Sequence, residues 1–185
     1  MKTFKIVSLA VFSALIFVVT AYFILPVGIG YINFGDAFIL LASVFLGPFS
    51  GALCGALGGA LADLVNGYAA YAPFTLVIKA VEGFLCGILL HKTMGKPKLP
   101  VWQLILGFVI SALTMVLGYF IANTILYSVE TAITMGVLND LVQAAVSVAA
   151  ALALTVALKK IPYVNKLFVS KMHIKNINDK NNYES

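Results

Sequence analysis

Residues 34–66 read FGDAFILLASVFLGPFSGALCGALGGALADLVN. That is too long for one helix across a hydrocarbon core of about 30 Å, and short for two full ones. The middle, Leu46-Gly47-Pro48-Phe49-Ser50-Gly51, interrupts it, because Pro48 has no amide to donate and the glycines favour a turn. The lysines decide between one helix and two. The chain has no arginine, and eleven of its 12 basic residues fall at Lys2 and Lys5, at Lys92, Lys96 and Lys98, and from Lys159 onward. Positive charge collects on the cytoplasmic side of membrane proteins. One helix across 34–66 would put the 92–98 cluster outside and set the two termini at odds. Two short helices put every cluster inside.

Working outward from that break, the apolar runs give six spans, at 6–25, 36–46, 49–65, 74–90, 102–126 and 135–158, with outer connections at 26–35, 66–73 and 127–134. The expected fold is all-α, a multi-pass cell-membrane protein with six transmembrane helices and both termini cytoplasmic. Composition agrees: 185 residues that are 62% hydrophobic and 10% charged, with mean hydropathy +1.03, could not cover their apolar surface in water. Residues 1–160 form one membrane domain, and the polar stretch 161–185 is expected to be a disordered cytoplasmic tail. The first run is a span rather than a signal peptide, since Pro26-Val27-Gly28 follows it and no small-x-small cleavage site does. The net charge of +5 is explained by topology and anionic headgroups, not by a nucleic-acid partner. Cys54 and Cys86 lie in apolar stretches and read as buried thiols, and no metal-ligand spacing is present.

Lys79 is the exception among the lysines, because it lies inside a span. A charge there is costly and points to a functional site. Asp36, Asp63, Glu82, Glu130 and Asp140 all map to the outer half or outer loops. Asp36 reads as a helix N-cap beside Gly35. Lys79 would find its counter-ion in Asp63 or Glu82. Asn139 and Gln143 share a helix face at i,i+4 spacing, as do Tyr119 and Asn123. Structural ion pairs alone would not bring those amides into the membrane, whereas an outward-opening pocket accounts for them together with Asp63, Lys79 and Glu82. Tyr31, Phe34, Tyr68, Tyr71 and Tyr127 in the outer loops could cover a planar ring.

Other classes fit poorly. His91 and His173 are cytoplasmic, and Asp63 and Asp140 lie too near one face for a paired-carboxylate membrane protease, so no catalytic residue and no cofactor are expected. No polar stripe continues inward as a channel would need, and no nucleotide-binding motif is present. Gly51, Gly55 and Gly59 form a small-residue stripe for close helix packing. Ala10-x-x-x-Ala14 in the first span is a smaller one, and spacing alone leaves open whether it packs internally or docks another membrane subunit.

The blocks Tyr31-Ile32-Asn33-Phe34-Gly35-Asp36, Leu46-Gly47-Pro48-Phe49-Ser50-Gly51-Ala52, Ala62-Asp63-Leu64, Gly67-Tyr68 and Ala72-Pro73-Phe74-Thr75-Leu76-Val77-Ile78-Lys79 resemble the substrate-binding S components of energy-coupling-factor (ECF) vitamin transporters. Within that group the chain is most similar to the riboflavin, hydroxymethylpyrimidine and pyridoxine branch, over about residues 5–158. The resemblance implies a six-helix subunit that captures a vitamin or precursor from outside and docks on a module of one transmembrane coupling subunit and two ABC ATPases. It implies a docking role for Ala10 and Ala14. It implies a binding region around Asn33, Tyr68, Lys79, Glu82, Asn123, Asn139 and Gln143. The alternatives are a ligand-free scaffolding membrane protein, or an S component for another micronutrient such as pantothenate. A ligand-dependent rise in thermal stability separates binder from scaffold.

Overall fold

The computed structural model describes residues 2–27, 30–96 and 100–162. The expected tail, Lys98 and the Tyr31 side chain lie outside the described residues. Gly47, at φ +93°, takes a backbone conformation that side chains disfavour, and Pro48 begins the next helix where its missing amide costs nothing. The 34–66 stretch is therefore two antiparallel helices, α2 (Gly35–Leu46) and α3 (Pro48–Val65). They are preceded by α1 (Lys2–Tyr22) and an antiparallel hairpin of β1 (Ile24–Val27) and β2 (Gly30–Asn33). After them come α4 (Ala72–Leu90), a 3-10 turn (His91–Gly95) and α5 (Val101–Leu126). The last span is composite: one turn of α6 (Val129–Thr131), a π-turn (Ala132–Gly136) and α7 (Val137–Lys159). Five of these segments are long and apolar enough to cross a membrane; α2, with 12 residues, is not. The chain is a helical multi-pass membrane protein.

The short helix is the buried one. Ala37, Ile39, Leu40, Ala42 and Val44 of α2 are fully enclosed, and α1, α3, α4 and α7 pack around it. Its inner half meets Cys86, Leu90, Leu104, Phe108 and Ala151, while its α1-facing side meets Ile16 and Cys54. Helix α3 shows how a membrane protein inverts the soluble pattern. Phe49, Leu53, Leu57, Leu61 and Leu64 are exposed along one face, where lipid would lie. Gly51, Gly55 and Gly59 line the opposite face, and a Cβ on Gly55 would come 2.8 Å from the Lys79 carbonyl oxygen. On α4, a Cβ at Gly87 would come 2.3 Å from the Pro48 Cα. The helices thus touch backbone to backbone.

Length explains the recess at the outer end. At 1.5 Å per residue α2 rises about 18 Å, short of a core about 30 Å thick. Its inner end is level with that of α4, since His91 Nδ1 lies 2.9 Å from the Val44 carbonyl oxygen. Its outer end stops beside Lys79, seven residues or about 10 Å inside α4. The space above α2 is left to the hairpin and to side chains of its neighbours.

Three expectations need correction. The first span ends at Tyr22 rather than at residue 25, because Ile24–Val27 pairs with Gly30–Asn33 as a hairpin where an open loop was expected. The last helical segment begins at Val129, not 135, since Ser128 Oγ accepts the Thr131 amide at 3.1 Å and caps it. Asp36 is not an N-cap; Phe34 occupies that position and makes no side-chain cap.

Candidate ligand-binding site

Lys79 projects from α4 into the floor of the recess and is only 3% exposed. An ammonium so enclosed needs an acceptor. It donates to Asp36 Oδ1 from the first turn of α2, and Glu82 Oε2, one turn further along α4, lies 3.4 Å away. Its counter-ions here are Asp36 and Glu82; Glu82 is one of the two expected, and Asp36 was not among them. The Lys79 ammonium also sits 5.1 Å from the Tyr119 ring centroid, a cation–π distance.

From Asp36 the polar network climbs to the hairpin. Gln143 of α7 donates through Nε2 to Asp36 Oδ2 at 2.7 Å. Gln143 Oε1 accepts the Asn33 backbone amide at 3.1 Å and the Asn33 side-chain amide at 3.3 Å. Asn33 Oδ1 in turn accepts the Gly35 amide at 2.8 Å, at the start of α2. On the opposite wall the Tyr71 hydroxyl donates to Asn123 Oδ1, and Thr75 Oγ1 lies 3.0 Å from the Tyr119 hydroxyl. The Tyr71 ring stands between Tyr68 and Tyr127, with centroids 6.3 Å from each. Burial, reinforced by Tyr127, pushes the Tyr71 phenol above its usual range.

Above the Lys79 floor lies a cavity of about 680 Å³, its open mouth included. It lies at the end of the molecule opposite Lys92 and Lys96. Seven of the eight expected residues line it: Asn33, Asp63, Tyr68, Lys79, Asn123, Asn139 and Gln143. Glu82 does not, being fully enclosed beneath the floor. The wall also includes Thr20, Tyr71, Thr75, Tyr119 and Asp140, which the expected list lacked. Tyr119 was within reach of the sequence, since it shares a face with Asn123. Thr20 and Thr75 carried no signal, because a lone threonine in a span most often satisfies itself on its own helix. Gly59 and Gly136 lie in the wall as well, and at Gly136 a Cβ would come 2.7 Å from the Asn123 Nδ2.

Comparison with known proteins gives this geometry a context. The family model described as "ECF-type riboflavin transporter, S component" matches residues 1–160. The chain belongs to this S-component family. A protein of Lactococcus lactis subsp. cremoris, the thiamine precursor transporter HmpT, is 29% identical over 164 residues, covering 87% of this chain and 91% of its own. An uncharacterized protein of Pyrococcus woesei is 40% identical over 120 residues, covering 65% of this chain and 76% of its own. The family is one of vitamin-transporter subunits in the cell membrane.

The surface of this S component bears on the Ala10–Ala14 stripe. Both residues are exposed, beside exposed Val7, Val11 and Val18. Helix α1 packs on α3 by another face, where a Cβ on Gly58 would come 2.6 Å from Ile16 Cγ2. No other described helix of this chain covers the stripe.

Proposed function

We propose that this S component captures a small, uncharged vitamin or vitamin precursor built on a nitrogen-containing ring, of the hydroxymethylpyrimidine, pyridoxine or riboflavin type. It would deliver that ligand by docking on a coupling subunit and two ABC ATPases through the α1 face of Ala10 and Ala14. The observation that carries the choice is the state of Lys79. It is the only cation of the described cavity wall, and Asp36 and Glu82 already neutralise it. A carboxylate or phosphate on the ligand would meet Asp63 and Asp140 with no uncommitted cation to offset them. An uncharged ring instead finds tyrosine faces, the amides of Asn123, Asn139 and Gln143, and carboxylates that accept from ring or exocyclic N–H and O–H groups. The riboflavin named by the family model and the thiamine precursor named for the Lactococcus relative both fit this class, whereas pantothenate, an anion, does not.

The test is a thermal-stability screen of the detergent-solubilised protein with hydroxymethylpyrimidine, pyridoxine, riboflavin and pantothenate. A ligand at a hundred times its Kd stabilises by about 2.7 kcal/mol. At least one of the three uncharged rings should raise the melting temperature, and pantothenate should not. No shift with any of the rings, or a shift with pantothenate alone, overturns the reading.

A further inference from the structure

Asp36 does not line the cavity and is 1% exposed, yet the described contacts of the cavity floor converge on it. One carboxylate oxygen takes Lys79 of α4 and the other takes Gln143 of α7. A carboxylate in this role can only accept, so Gln143 must turn its NH2 group toward Asp36. That leaves Gln143 Oε1 facing the hairpin, where it receives both amides of Asn33. Asn33 Oδ1 then takes the Gly35 amide, one residue before Asp36, which closes the ring. Among these groups only Asp36 has a fixed acceptor character, while Gln143 and Asn33 each carry an amide that could flip.

We propose that Asp36 is a positioning residue for ligand binding. Its charge sets the orientation of the Gln143 amide, and through Gln143 it fixes the end of β2, so that Asn33, Lys79 and Gln143 present one arrangement to the cavity. Glu82, the second counter-ion of Lys79, has no such role, because it meets Lys79 alone among these groups. The claim about the unliganded network stands apart from the proposed function; its consequence for affinity rests on that reading.

The experiment is hydrogen–deuterium exchange of the ligand-free protein, read on peptides spanning 24–35, with α5 peptides as a monitor of global opening. Asp36→Asn is isosteric but can donate as well as accept, so the Gln143 amide loses its fixed orientation. The 24–35 amides should then exchange about tenfold faster, as for loss of a hydrogen bond to a charged group, while α5 peptides stay at the wild-type rate. Gln143→Leu should reproduce the change, and the double variant should add nothing to it. Glu82→Gln should leave the 24–35 peptides unchanged. Additive effects, an unchanged hairpin in Asp36→Asn, or equal acceleration in α5 would overturn the proposal. If Asp36→Asn fails to fold, Gln143→Leu against Glu82→Gln still decides: accelerated exchange at 24–35 must appear in the first alone. A second arm measures hydroxymethylpyrimidine, pyridoxine and riboflavin affinity in Asp36→Asn, a change at a residue that does not line the cavity. A loss of tenfold or more for whichever probe binds the wild type supports positioning. If none of the three binds the wild type, the functional reading fails, and the exchange result still decides the network.

Discussion

At the scale of the residue, Lys79 is a buried charge held by two others, and that fixes how its variants behave. Removing one partner of a buried ion pair typically costs about 3–5 kcal/mol, because it strands the remaining charge. Lys79→Met should therefore lower the melting temperature of the unliganded protein sharply, and Lys79→Met/Asp36→Asn/Glu82→Gln, which removes both stranded charges, should recover part of the loss. A Lys79→Met protein as stable as wild type would show that the ammonium is not structural. Asn123→Ala strands the Tyr71 hydroxyl and removes an amide from the cavity wall. It should weaken ligand affinity by about 1–2 kcal/mol, roughly five- to thirtyfold, as titration calorimetry would read it. The amides of the site were legible from i,i+4 spacing in two spans. Of the two counter-ions, Glu82 was legible and Asp36 was not. Asp63 and Glu82 were the acids at the right depth along the chain, and only the early end of α2 lowers Asp36 to the level of Lys79.

At the scale of the element, the helix breaks were legible wherever glycine or proline imposed them. The 46–51 interruption is such a case, and it carries the fold. The hairpin was less so. Two four-residue strands before α2 have no long period to read, and their pairing rests on β2 lying against α7, a contact no local pattern encodes. The start at Val129 has a local signal in the sequence, Ser128 as the residue that caps the turn. The α3–α4 seam makes its own prediction. A Cβ on Gly83 would meet the Gly51 carbonyl at 2.6 Å, and one on Gly87 would meet Pro48 at 2.3 Å; both obstacles are backbone and cannot turn aside. Gly83→Ala or Gly87→Ala should destabilise by about 1–3 kcal/mol. Leu57→Ala, on the exposed face, should stay within about 0.5 kcal/mol. Melting curves in one detergent suffice to compare them.

At the scale of the whole molecule, the alternation of spans places the cavity and the lysine-bearing connection on opposite sides of the membrane. Both native cysteines are buried, so single introduced thiols can be read without background. Glu130→Cys should react with an impermeant maleimide on whole cells, and Lys96→Cys should react only after the membrane is opened. Ala14→Trp, on the exposed face of α1, should abolish uptake and leave ligand binding by the purified subunit within twofold of wild type. Loss of both would mean that the face serves the fold. The shortness of α2 also has an electrical consequence. A ligand resting on the Lys79 floor that this shortness leaves open lies at most about 10 Å inside a core about 30 Å thick. A unit charge moved through the full membrane potential gains or loses about 2.3 kcal/mol per 100 mV, so a charged ligand at that depth would feel about a third of it, roughly 0.8 kcal/mol. Capture of an uncharged ring is blind to voltage, and a cell gathering it would bind as tightly when de-energised as when fully polarised.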